Sequence, residues 1–118
     1  MAAILGIDIG TSSAKVMLLD AKTGEQWVQA QAYDVSTPQT GWAEQNPSDW
    51  KAALYGIVKE ISAEAGQKGW TVDAVAVTSQ RSSVIPMDRA MCPLGHAVMW
   101  QDKRPNDLCS QMNAQNDR

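Results

Sequence analysis

Apolar positions along the chain switch between two periods, and the switches predict its elements. Residues 3–9 carry Ile4, Leu5, Ile7 and Ile9 in a short β-branched run, which reads as a buried strand. Gly10-Thr11-Ser12-Ser13 is turn chemistry. Residues 14–20 resume with Val16, Met17, Leu18 and Leu19, and a second turn follows at Ala21-Lys22-Thr23-Gly24. Residues 25–33, with Trp27, Val28, Ala30 and Ala32, read as a third strand. Three strands joined by short turns predict an antiparallel meander.

Residues 34–45 hold no period and include Pro38 and Gly41, so they read as a loop. A helix start follows: Asn46 caps, Pro47 suits the first helical position, and Asp49 suits the positive end of the dipole. Trp50, Ala53, Leu54, Ile57, Val58, Ile61 and Ala65 recur at helical spacing and form one apolar face to pack on the sheet; Gly66 is the expected stop. Residues 71–78 (Val72, Ala74, Val75, Ala76, Val77) read as a buried strand returning parallel to the sheet. Residues 82–88 and 97–100 are shorter strand candidates, and residues 107–115 a polar helix left unfinished at Gln115-Asn116-Asp117-Arg118. The pattern as a whole is α/β: a mixed sheet that begins with a meander, with helices packed on it.

Composition narrows the function. The chain has 118 residues, 44% hydrophobic and 19% charged, enough for one ordered domain with a core. A net charge of −3 argues against a nucleic-acid partner, which needs a basic face, but not against a small phosphorylated ligand. Cys92 and Cys109 have no metal-ligand spacing and are too few for a disulfide framework, which points to reduced thiols in the cytoplasm. The N-terminal apolar run has no basic segment before it and is broken by Asp8, so no signal peptide or membrane span is expected. His96 is the only histidine, too few for a His-centred triad or a zinc cluster.

Candidate chemistry concentrates in three stretches. In the first, Asp8 closes a strand and is followed by Gly10, Thr11, Ser12 and Ser13. Gly10 permits close backbone approach, the turn N–H groups and hydroxyls suit phosphate, and Asp8 would hold Mg²⁺ directly or through water. Lys15 adds charge only if it shares the face of Asp8. A tight hairpin with a hydrogen-bonded Asp fits the same pattern, and the residues leave both readings open. In the second stretch, Gln80 and Arg81 follow a strand and suit the hydroxyls of a sugar or polyol, although an Arg paired with a carboxylate is the simpler reading for this stretch alone. In the third, Trp100 is either core or a platform for a sugar face, and Asp102 and Arg104 read as structural. The first two stretches each follow the C-terminal end of a strand, where α/β sheets bind ligands.

Three blocks, in order, resemble the N-terminal part of the FGGY carbohydrate kinases. They are Gly6-Ile7-Asp8-Ile9-Gly10-Thr11-Ser12, then Gly41-Trp42-Ala43-Glu44-Gln45-Asn46-Pro47 with Trp50, then Thr78-Ser79-Gln80-Arg81 continuing to Trp100-Gln101-Asp102-Lys103-Arg104. The resemblance implies an actin-like, ribonuclease-H-like fold, of which this chain is the opening part of the first domain, with the second domain absent. It implies ATP and Mg²⁺ as cofactors and phosphoryl transfer to a sugar or polyol hydroxyl. Asp8 then matches the metal-associated aspartate, and Gly10, Thr11 and Ser12 the first phosphate-binding turn. Gln80 and Arg81 match the substrate-contacting position, and Asp102, which matches an acidic position seen in several members, joins them as a candidate substrate-binding residue. Ser82 stands where glycerol kinases often carry Glu, and the Met-His usual in xylulokinases is not found at Gln80-Arg81. The family's catalytic Asp lies far downstream and has no counterpart here, so the chain alone is expected to be inactive.

Two alternatives remain. One is a stand-alone actin-like binding or assembly module, in which an open sheet edge drives homodimerisation. The other is a ribonuclease-H-type nuclease using Glu60, Glu64 and Asp73 with Asp8, which needs converging carboxylates.

Overall fold

A computed structural model describes residues 2–116. The chain divides into two units: Met1–Asp34 with Pro47–Arg81, and Val35–Asn46 with Ser82–Arg118.

The first unit is a four-stranded mixed sheet with one long helix. Its strands are β1 (Ala2–Ile9), β2 (Ser13–Asp20), β3 (Gln26–Ala32) and β5 (Thr71–Ser79), in the order β3-β2-β1-β5. β1–β2 and β2–β3 are antiparallel, the expected meander. β5 joins β1 in parallel after the helix α1 (Pro47–Lys68), the expected return. Alternation along β1 and β2 sends Ala3, Leu5, Ala14, Val16 and Leu18 to one face, all buried. α1 meets them with Ala53, Ile57, Ile61 and Ala65, spaced four residues apart so that they line one stripe. Fully burying one such Leu or Ile contributes about 1.5–3 kcal/mol.

The turn between β2 and β3 is built around Asp20, which is completely buried. Its carboxylate accepts from the Lys22 N–H (2.9 Å) and the Thr23 hydroxyl (2.9 Å), and its carbonyl accepts from the Gly24 N–H (2.9 Å). Gly24 has a φ of 76°, which a side chain would oppose.

α1 does not stop at Gly66. It continues to Lys68, and Gly69 ends it at a φ of 67°. The Trp70 N–H donates to the Ala65 carbonyl (2.9 Å) and the Gly69 N–H to the Gly66 carbonyl (3.2 Å), the two bonds of a Schellman cap. Both glycines read as stops in sequence; what selects Gly69 is the buried Trp70 beyond it.

β5 departs further from expectation. It reads as a buried strand, yet all nine of its residues are exposed, with Val75 at 57% and Val77 at 65%. It is the edge strand, and α1 lies chiefly over β2 and β3.

In the second unit, β4 (Glu44–Gln45) pairs antiparallel with β6 (Ala97–Val98), and α2 (Pro105–Asn116) follows. Residues 34–45 are therefore not wholly loop: Ser36 bridges Glu44, and β4 closes the segment. Residues 82–88 form no strand, only isolated bridges at Val84 and Met87, because Pro86 interrupts the donor ladder. Ala43, Gln45, Ala97 and Met99 are buried here. α2 buries none of its residues, and the expectation of a helix packed on the sheet is met by α1. Asp117 and Arg118, where an unfinished helix end was expected, lie outside the described residues. No described helix is long and apolar enough to cross a membrane.

Candidate functional site

The parallel register of β1 and β5 decides the site. Asp8 is the partner of Thr78 and Ile9 of Ser79, so both strands end at the same edge of the sheet. The Gln80 N–H then donates to the Ile9 carbonyl (3.1 Å), which fixes the segment carrying Gln80 and Arg81 beside Gly10. Two stretches 70 residues apart in sequence are thereby brought to one place, as the strand-end argument expected.

Asp8 is exposed and lies on the face away from α1, because the alternate residues Leu5 and Ile7 point toward the helix. Its direct partner across the antiparallel pair is Lys15, also exposed and therefore on the same face. Lys15 thus meets the condition for adding charge. A shallow concavity of about 390 Å³ runs along this face, lined among others by Asp8, Lys15, Met17, Val28, Ala76 and Thr78.

The turn after β1 is closed by the Gly10 N–H donating to the Ser13 carbonyl (3.0 Å). A Cβ on Gly10 would sit 3.2 Å from that same oxygen. Glycine is needed here for close approach rather than for a positive φ. Tyr33, which the sequence reading treated only as the end of a strand, holds this turn at two points. Its N–H donates to the Ser12 carbonyl (3.1 Å), and its phenol donates to the Gly10 carbonyl. Tyr33 is 9% exposed; burial raises its pKa, and the nearby charge of Asp8 raises it further, so the phenol keeps its proton. An aromatic residue with a polar tip just past a strand is the one signal in the sequence for this role.

Asp102 belongs to the second unit, and its carboxylate is committed there. It accepts from the Ala43 N–H (2.7 Å), from the Arg104 N–H (2.8 Å) and from two nitrogens of the Arg104 guanidinium (2.8–3.1 Å). Its side chain is 1% exposed, so it cannot present a carboxylate to a ligand. The Arg104 hydrogen bonds, then the backbone N–H of Ala43, hold its pKa well below the usual carboxylate range against the opposing effect of burial. Arg104 also pairs with Glu44 (3.0 Å) and stacks on Trp42 (4.0 Å to the ring centre), and His96 lies 3.6 Å from Glu44. The Trp42-Ala43-Glu44 and Asp102-Lys103-Arg104 blocks are therefore one interlocked structural cluster, a connection between the two blocks that the residues alone did not suggest. Trp100 is 57% exposed, and its N–H donates to the Ser83 hydroxyl (3.1 Å).

Among the described residues, no group of three or more His, Cys, Asp or Glu side chains is placed to hold a metal ion. Glu60 and Glu64 are on α1 and Asp73 on β5, without the convergence that the nuclease alternative needs.

Residues 3–118 match the model of the N-terminal domain of the FGGY family of carbohydrate kinases. The chain belongs to this family. A glycerol kinase of Paraburkholderia phymatum is 34% identical over 113 residues, which cover 95% of this chain and 23% of that relative. A glycerol kinase of Burkholderia pseudomallei is 32% identical over the same extent. Among solved structures, the xylulose kinase from Rhodospirillum rubrum superposes with a TM-score of 0.88 at 25% identity, covering 96% of this chain and 23% of that one. The Plasmodium falciparum glycerol kinase with ADP superposes at 0.85 with 29% identity, covering 97% and 23%. This FGGY segment thus spans about a quarter of the length of the relatives it matches.

Proposed function

We propose that these residues form the opening part of the first domain of an ATP-dependent sugar or polyol kinase, with an actin-like, ribonuclease-H-like fold. The observation that carries this is the shared strand end, where the Gly10–Ser13 turn and the Gln80-Arg81 segment lie side by side. Gly10, Thr11, Ser12 and Ser13 form the phosphate-binding turn. Gln80 and Arg81 supply donors and an acceptor to substrate hydroxyls. Asp102 serves by holding residues 43 and 104, not by contacting substrate.

Magnesium fits Asp8 by donor chemistry: one exposed carboxylate beside a phosphate turn suits an ion that keeps most of its waters and takes the rest of its ligands from phosphate. When bound, the ion supplies positive charge to the phosphate oxygens. The chain's own part is to position the phosphates on the turn and to hold the acceptor hydroxyl with Gln80 and Arg81. The base that takes the hydroxyl proton lies outside this segment in our reading, so the segment alone is inactive. The nucleotide and magnesium imply a cytoplasmic setting.

The test is a screen of sugars and polyols for substrate-dependent ADP release by an FGGY kinase carrying this N-terminal segment. Asp8→Ala is expected to cut turnover at least a hundredfold, on the order of the loss of one charge-stabilising group, while sugar affinity changes far less. Unchanged turnover removes Asp8 from its role.

A further inference from the structure

We propose that Tyr33 is a positioning residue for the phosphate turn, pinning back the carbonyl oxygens that would otherwise oppose an anion; this rests on the phosphate-binding reading of Gly10–Ser13. A backbone turn attracts an anion when its N–H groups face outward and its carbonyls do not. Three of the four carbonyls of residues 10–13 accept from donors of the chain itself. The Ser13 carbonyl is taken by the Gly10 N–H (3.0 Å), the Ser12 carbonyl by the Tyr33 N–H (3.1 Å), and the Gly10 carbonyl by the Tyr33 phenol.

Two of the three bonds therefore come from one residue that is distant in sequence. The ring is anchored independently of its hydroxyl, because Tyr33 is part of the buried cluster with Ala14, Val16, Ala53 and Ile57. Phenylalanine can keep that packing and lose only the phenol donor. The Gly10 carbonyl would then have no phenol to hold it, next to the carboxylate of Asp8 two residues earlier. Tyr55, the other tyrosine, is 62% exposed on α1 and serves as an internal reference.

The experiment is an NMR titration of the 118-residue chain with Mg·ATP, following the backbone amides of residues 10–13. The wild type is expected to show saturable shifts there. Tyr33→Phe is expected to keep the wild-type melting temperature within a few degrees and the amide shifts of β1 and β2. It should bind Mg·ATP roughly fivefold to tenfold more weakly, as the loss of about one hydrogen bond implies. Equal affinity with the wild type overturns the role of Tyr33 and leaves the phosphate reading standing. No response of the wild-type turn overturns the phosphate reading itself. If Tyr33→Phe does not fold, the ring Cζ resonances of the wild type decide. Mg·ATP is expected to move that of Tyr33 and leave that of Tyr55 in place, and a Tyr33 signal that stays fixed at saturation overturns the proposal.

Discussion

Asp20 and Asp102 show how a buried carboxylate is made tolerable. Each accepts backbone N–H and side-chain donors, from nearby residues for Asp20 and from both Arg104 and the distant Ala43 for Asp102, and in both the bonds hold the pKa below its ordinary value. For Asp20 the first cause is the Lys22 N–H and the next the Thr23 hydroxyl; for Asp102 it is the Arg104 side chain. A folded pKa below the unfolded one means that the contribution to stability is complete above the unfolded value, about 3.9 for Asp. It is lost as pH falls from there toward the folded pKa. Urea unfolding followed between about pH 6 and pH 2 should show falling midpoints below about pH 4. Asp102→Asn should be less stable at neutral pH and show a flatter decline in acid; an unchanged acid limb would remove Asp102 from this account. In the sequence Asp20 is only the last residue of a strand and Asp102 only a motif residue. Their burial depends on what folds over them.

At the scale of elements, α1 carries the core of the first unit. Ile61 is 1% exposed and faces the buried positions of the sheet. Ile61→Ala should cost about 2–5 kcal/mol, measured by urea unfolding, since it leaves a cavity that rigid strands cannot fill. At the helix end, Gly69→Ala should cost about 1 kcal/mol because of the positive φ, whereas Gly66→Ala, inside the helix with open space around it, should be neutral or stabilising. If the two substitutions had equal effects, the cap would not be at Gly69. The meander, the helix and the parallel return were legible because period, cap residues and turn residues agreed with one another. The helix end was not, since two glycines three residues apart carry the same local signal. The short β4 and β6 were not legible as a pair, because two-residue strands have no period to detect.

For the molecule as a whole, the exposed β5 is the feature that matters most. An edge strand with Val72, Val75 and Val77 exposed is a template for pairing. The 118-residue chain by itself is expected to self-associate, with a second copy along β5. Sedimentation velocity should show concentration-dependent mass that Val75→Lys with Val77→Lys suppresses; a monomer at all concentrations would sink this prediction. The same chain should release no ADP from ATP in the presence of any sugar or polyol, and robust sugar-dependent release would show that the catalytic base lies within it.

Sequence alone settled the α/β pattern, the strand–turn–strand around Asp8 and Gly10, and the family, because these rest on local periodicity and on motifs contiguous in the chain. Tertiary structure alone decided which candidates meet. The parallel register of β1 with β5 set Gln80 beside Gly10, the phenol of Tyr33 closed on the Gly10 carbonyl, and Asp102 turned inward to Ala43 and Arg104. The physical reason is the same in each case. A hydrogen bond between residues 23, 59 or 71 positions apart leaves no periodic trace in the residues that make it, and only the folded sheet brings donor and acceptor within reach.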